Sequence, residues 1–422
     1  MTPKDRQSGH LKHRLLGLQL PTPPVAIIAG LLIVISGTFS YASNSNETTD
    51  RTNLNSSHSL GAMPKDGLGA ASSPTTSGEF LKPSPIAGPA PGITGTQVSP
   101  PAHDAFVKVC GTSLCVNGEP YVIHGATAYG TYDDPPVEVA LAEAAKLNTL
   151  ELVEFDTHHH VLADTMTEPT WARVDKFIAA AKARGLHVVL NLSEYGQSLQ
   201  AAGQIPTTVD WGPYLSFIAN RVNTVTGAQY RNDPTISMVE LFGEICYPGE
   251  EGSTCPAGTS GSASDMTSFF HRSETEWSAL APQILVSSGG FSHLSRNTSI
   301  PWQAIVSDPA DAVCSMEINS PNDVMNTVAF TNYCKSLGKP WFLAAWSSCY
   351  NKPSYSFHMP TDATMASHAD DMYAIARGDS LAAYPSIGAN FWNLRDEGAV
   401  AGTCSIGPSF PLTWDAVRSN AP

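Results

Sequence analysis

The chain has 422 residues, of which 14% are charged, and its formal net charge is −15. That length exceeds one small domain and suits one large domain with appendages. The acidic balance argues against a nucleic-acid or acidic-membrane partner and fits an exported protein acting on a neutral substrate.

Residues 1–42 read as a signal peptide or signal anchor. Lys4, Arg6, Lys12 and Arg14 form a basic flank, Val25 to Phe39 is an apolar stretch of 15 residues, and Ser40-Tyr41-Ala42 offers a cleavage site. Cleavage gives a secreted protein, and retention gives a membrane anchor with the rest of the chain outside; a membrane partner is expected only in the second case. Residues 43–103 are rich in Ser, Thr, Pro, Gly and Asn. Such a segment buries too little apolar surface to offset its conformational entropy, so a disordered linker is expected, followed by one domain over 104–422.

All eight cysteines follow the linker. In an exported protein they suggest disulfides. Local spacing favours Cys110 with Cys115 and Cys246 with Cys255; Cys314 with Cys334 and Cys349 with Cys404 complete the set. The competing zinc reading has no C-x-x-C pair to rest on.

From Phe106 the pattern is regular. A small hairpin, Phe106 to Val116, turns at Asn117-Gly118 into a first strand, Tyr121 to Ile123. A helix over Pro135 to Lys146 leads to a strand, Thr149 to Phe155. The next helix is capped by Thr170, carries Trp171, Val174, Phe177, Ile178 and Ala181 on one face, and stops at Gly185. His187 to Leu192 is strand, Trp211 to Val225 helix, Ile236 to Phe242 strand, and Ser264 to Leu280 helix. Ile284 to Ser287, Ala312 to Ile318, Trp341 to Ala345 and Ile387 to Trp392 complete eight strands. This alternation predicts an α/β fold, a (β/α)8 TIM barrel preceded by a small N-terminal hairpin. The alternative, a doubly wound open sheet, lacks its glycine-rich phosphate fingerprint.

Active sites of such barrels lie at the C-terminal strand ends. There stand Thr127, Tyr129 and Tyr132, then Glu151, Glu154, Asp156 and His158 to His160, then Ser193, Glu194 and Tyr195. Glu244 and Tyr247, Ser288 to Phe291, Glu317 and Asn319, Trp346, and Trp392 with Asp396 and Glu397 follow. Carboxylates among aromatics, with no lysine, suit a neutral polyhydroxylated substrate, because rings stack on sugars while carboxylates handle protons. Ordinary packing is the competing account of each single ring. Glu240, inside its strand, reads as a satisfied structural carboxylate, whereas Glu244, at the strand end, reads as functional. His158 to His160 have the chemistry to ligate a metal, but no second cluster has ligand spacing, so neither a metal nor any other cofactor is expected.

The blocks FVKVCGTSLCVNGEPYVIHGATAYG, KLNTLELVEFD, YRNDPTISMVELFGEI, SSGGF, GKPWFLAAWSS and GANFWNL resemble, in order, those of glycoside hydrolase family 5 and related clan A enzymes. Endo-β-1,4-mannanases come first and cellulases behind them. The resemblance implies a secreted hydrolase of a β-linked polysaccharide or oligosaccharide, with Glu244 as general acid/base and Trp392 on strand eight at the substrate. It also exposes departures. Gly243 stands where the family has Asn, Ala345 where it has the nucleophilic Glu, Glu151 where it has an Arg, and Glu317 and Asn319 where it has His and Tyr. Glu317 is the leading second carboxylate for Glu244. Tyr129, Glu151, Tyr195, Tyr247, Asn319, Trp346, Trp392 and His158 are the expected substrate contacts. A polysaccharide-binding pseudoenzyme on the same barrel is the alternative.

Overall fold

The structure is a computed structural model and describes residues 105–129, 135–153, 162, 165–243, 245, 258–291, 300–319, 321–347, 361–396 and 405–422. The expected targeting segment and linker lie outside these residues.

The described chain opens with three short antiparallel strands, β1 (Lys108–Cys110), β2 (Ser113–Val116) and β3 (Glu119–Tyr121), in the order β1-β2-β3. Asn117 and Gly118 both take positive φ, 54° and 84°, the geometry of a tight hairpin turn whose twist matches the flanking strands. Because that turn folds residues 119–121 back onto β2, they belong to this small sheet. The expected first barrel strand is thereby corrected to β4 (Ile123–Tyr129). Its weak apolar signal has a cause: a Cβ at Gly125 would stand 1.9 Å from Oδ1 of Asn390, so the small residue admits a polar neighbour inside the barrel.

The barrel continues with β5 (Thr149–Val153), β6 (His187–Asn191), β7 (Ile236–Glu240), β8 (Leu285–Ser287), β9 (Cys314–Ile318), β10 (Trp341–Ser347) and β11 (Gly388–Trp392). All pair in parallel in the order β8-β7-β6-β5-β4-β11-β10-β9. Phe291 closes the ring by bridging Met316, and the Ser287 and Ser315 hydroxyls share a 2.7 Å hydrogen bond across the same seam. Outside lie α1 (Pro135–Ala144), α2 (Glu168–Ala183), α3 (Ser193–Ala201), α4 (Gly212–Asn220), α5 (Ala263–Leu280), α6 (Trp302–Val306), α7 (Pro321–Leu337), α8 (Asp362–Arg377) and α9 (Pro411–Ser419).

Two cores result. The larger one fills the space between strands and helices, and the smaller, with Ile123, Val189, Met238, Val313, Phe342, Ala344 and Ile387, fills the barrel itself. Val107 and Leu114 join the smaller core, so the antiparallel sheet covers the N-terminal end of the barrel and leaves the C-terminal end for the site. Of the expected disulfides, Cys110–Cys115 and Cys314–Cys334 form. Cys246, Cys255, Cys349 and Cys404 lie outside the described residues.

Candidate active site at the barrel mouth

Glu317 leaves β9 towards the barrel interior. A Cβ at Gly290 would meet its Cγ at 2.6 Å and the Ala344 Cβ at 2.8 Å, and Ala344 belongs to the inner core. The Glu317 side chain is 8% exposed, and Asn319 Nδ2 donates to its Oε2 at 2.8 Å. Asn319 is itself held from behind, its backbone N–H donating to Asp323 at 3.2 Å. Partly buried Ala345 lies directly across from Glu317 in the β9–β10 register.

Why Gly243 departs from the resembling pattern is a matter of space. A Cβ there would stand 2.2 Å from the carbonyl oxygen of Gly290, and one at Gly289, which has φ +97°, would stand 2.7 Å from the Gly243 nitrogen. The ends of β7 and β8 thus touch backbone to backbone, which admits no side chain at 243. The same contact sets Gly290 beside Glu317.

Two strands along from β9, Trp392 at the end of β11 donates its indole N–H to the Tyr129 hydroxyl at 2.6 Å, and both rings are partly buried. Below them Glu151 is buried and accepts hydrogen bonds from Asn191 at 2.7 Å, Thr127 at 3.0 Å and Asn390 at 3.4 Å. Burial raises the Glu151 pKa, and these donors oppose the rise. Glu240, 1% exposed, adjoins it; burial and the Glu151 charge push its pKa well above the ordinary carboxylate range. Sequence reasoning missed Asn191, at the end of β6, and Asn390, in the middle of β11, although period-2 alternation points both side chains inward.

Two expected substrate contacts are placed elsewhere. Trp346 is fully buried in the outer core against Tyr373, His368 and Phe391, because a register shift between Leu343 and Ala345 turns it away from the interior. Tyr195 sits on α3, not a strand end, stacked on Tyr214 with ring centroids 4.1 Å apart and edge-on to Trp211. Packing accounts for both rings. Glu244, Tyr247 and His158 lie outside the described residues.

No protein-family model matches the chain. Over 179 residues, 34% of the chain, it is 27% identical to mannan endo-1,4-beta-mannosidase 8 of Oryza sativa subsp. japonica, a stretch covering 48% of that protein. The chain thus spans about half the length of the curated relatives it matches. Among solved structures, the endo-1,4-beta-mannanase of Rhizomucor miehei aligns with 75% of this chain and 99% of its own at 16% identity, with a TM-score of 0.59. A glycoside hydrolase family 5 mannosidase of the same organism covers 76% and 98% at 14% identity, with a TM-score of 0.53. At such identities the structural likeness establishes the (β/α)8 fold. The sequence likeness agrees with the expected relationship to endo-mannanases of family 5.

Proposed function

We propose that the chain is a secreted glycoside hydrolase acting on a β-1,4-mannan, with Glu244 as general acid and Glu317 as the second carboxylate. The observation that carries this reading is the likeness to mannan endo-1,4-beta-mannosidases in a chain whose barrel mouth holds a carboxylate and an aromatic pair. Glu244 gives its proton to the glycosidic oxygen as that oxygen leaves the anomeric carbon. Glu317 either takes a proton from the water that attacks this carbon or attacks it directly. Carboxyls about 5 to 5.5 Å apart retain the anomeric configuration and those about 6.5 to 9.5 Å apart invert it, so NMR of the first-formed product separates the two displacements. Asn319 fixes the Glu317 rotamer, and the Trp392–Tyr129 pair offers a ring face to a sugar.

The test is reducing-sugar release from β-mannans, β-glucans and xylans by the full chain. Release from mannan is expected, falling by about 10² to 10⁴-fold in Glu317→Gln and in Glu244→Gln. Full activity in Glu317→Gln removes that residue from the mechanism.

One observation favours a second reading, a mannan-binding protein without turnover. Ala345 stands in β10 where the resemblance places a nucleophilic Glu, and alanine offers no nucleophile. Unchanged mannan binding in wild type and both variants, with no release from any glycan, would establish that reading.

A further inference from the structure

Glu240 and Glu151 are 1% and 3% exposed and lie against each other inside the barrel. Two touching carboxyls in such a place cannot both be ionised. The surrounding donors decide which one keeps the charge. Glu151 receives the amides of Asn191 and Asn390 and the hydroxyl of Thr127. Among the described residues no amide or amino donor reaches either oxygen of Glu240, whose polar neighbours are the Glu151 carboxylate and the Ser315 hydroxyl, with Asp311 the next negative group. The Gly289 amide donates to Ser287 Oγ at 3.1 Å, and Ser287 and Ser315 are hydrogen-bonded at 2.7 Å. Two carboxylates facing each other can only accept, so among the described residues the hydrogen between the two carboxyls is Glu240's own.

We propose that Glu240 is a carboxylic acid donating its proton to a Glu151 carboxylate, and that this one-proton unit is a positioning device for Tyr129 and Trp392. Thr127 and Asn390 bond the same oxygen of Glu151, and two residues further along β4 and β11, on the same face of each strand, stand Tyr129 and Trp392. The charge on Glu151 thus ties together the two strand ends whose rings meet in the Trp392–Tyr129 hydrogen bond. A second negative charge at Glu240 would repel Glu151 and compete for its donors. The inference rests on the glycan-cleft reading only for what Trp392 touches, and its test uses no glycan.

Two variants of the full chain serve. Glu240→Gln keeps a donor towards Glu151 and cannot ionise, and Glu240→Leu removes the donor. In carboxyl-isotope infrared difference spectra the wild type is expected to show, beyond any bands of the buried acids Glu274 and Asp311, a further carbonyl band of a buried protonated acid that is absent from both variants. The Trp392 indole N–H signal, assigned by its loss in Trp392→Phe, is expected to shift with rising pH in the wild type, to stay in place in Glu240→Gln, and to be displaced at every pH in Glu240→Leu. If Glu240→Leu does not fold, the wild type and Glu240→Gln still decide the matter. Absence of the acid band overturns the shared proton, and an indole signal that titrates identically in wild type and Glu240→Gln overturns the positioning role. Failure of the mannan assays with these spectra as expected overturns the glycan reading alone.

Discussion

Gly243 and Gly290 show how one backbone contact governs the candidate chemistry. Because a methyl group at 243 would stand 2.2 Å from the Gly290 oxygen, main chain and not a flexible side chain must yield. Gly243→Ala is expected to cost about 2 to 3 kcal/mol, the scale of overpacking, read as a lower urea midpoint with unchanged slope. Gly290→Ala tests a different consequence, since its Cβ would meet the Glu317 Cγ at 2.6 Å. It is expected to displace Glu317 from Asn319 and lower hydrolysis more than stability, so activity and urea midpoint should separate the two glycines. An Asn at 243 would meet the same obstruction. The glycines were visible in the sequence as a departure, but the reason for them was not, because the partner backbone comes from a stretch more than forty residues away.

Among the elements, α2 and α4 are joined by a buried charge network. Arg221 Nε and Nη2 reach Asp175 at 2.9 and 2.7 Å, and the Tyr230 hydroxyl donates to the same carboxylate at 2.7 Å. This pairing explains why the helix expected to run to Val225 ends at Asn220: Arg221 leaves the helical path to reach α2, and Val222 then bridges Gln229. Burial raises the Asp175 pKa, but the hydrogen bonds from Arg221, Tyr230 and Thr224 outweigh it and hold the group below its usual range. Arg221 also bonds Glu168 at 2.8 and 2.9 Å, so Asp175→Asn, which leaves the guanidinium that partner, is expected to cost about 1.5 to 3 kcal/mol, the scale of lost charge-assisted hydrogen bonds, measured by chemical denaturation at neutral pH. Helix faces and strand positions were legible because apolar periodicity reports burial directly. The β10 register shift was not, so Trp346 reads from sequence as a mouth residue while its ring belongs to the outer core. Likewise Thr170 reads as a cap, yet α2 begins one turn earlier, with Thr167 at the N-cap and a proline in its first turn.

For the molecule as a whole, buried acids set the pH at which the barrel is most stable. Asp311, fully buried between α6 and β9, has its pKa pushed up to about 7 by burial, against the pull of Lys339. Glu240 and Glu274 are raised well above the ordinary range for the same first reason, with negative neighbours adding to it. A raised pKa means the folded state holds a proton that the unfolded chain has lost. The resulting stability is complete below the unfolded value near 4 and disappears as pH rises towards 7 for Asp311, and further up for the two glutamates. Asp175 works in the opposite sense, its contribution being present above the ordinary aspartate value and lost as pH falls through its depressed one. The two trends cross in mildly acidic solution, so Tm is expected to peak at about pH 4 to 5, below the usual window of roughly pH 5 to 8. Asp311→Asn supplies the check. An amide cannot ionise, so the fall in stability between about pH 4 and 7 should shrink by up to about 4 kcal/mol, the equivalent of a three-unit shift. A Tm profile as steep in that variant as in the wild type would assign the decline to Glu240 and Glu274 instead.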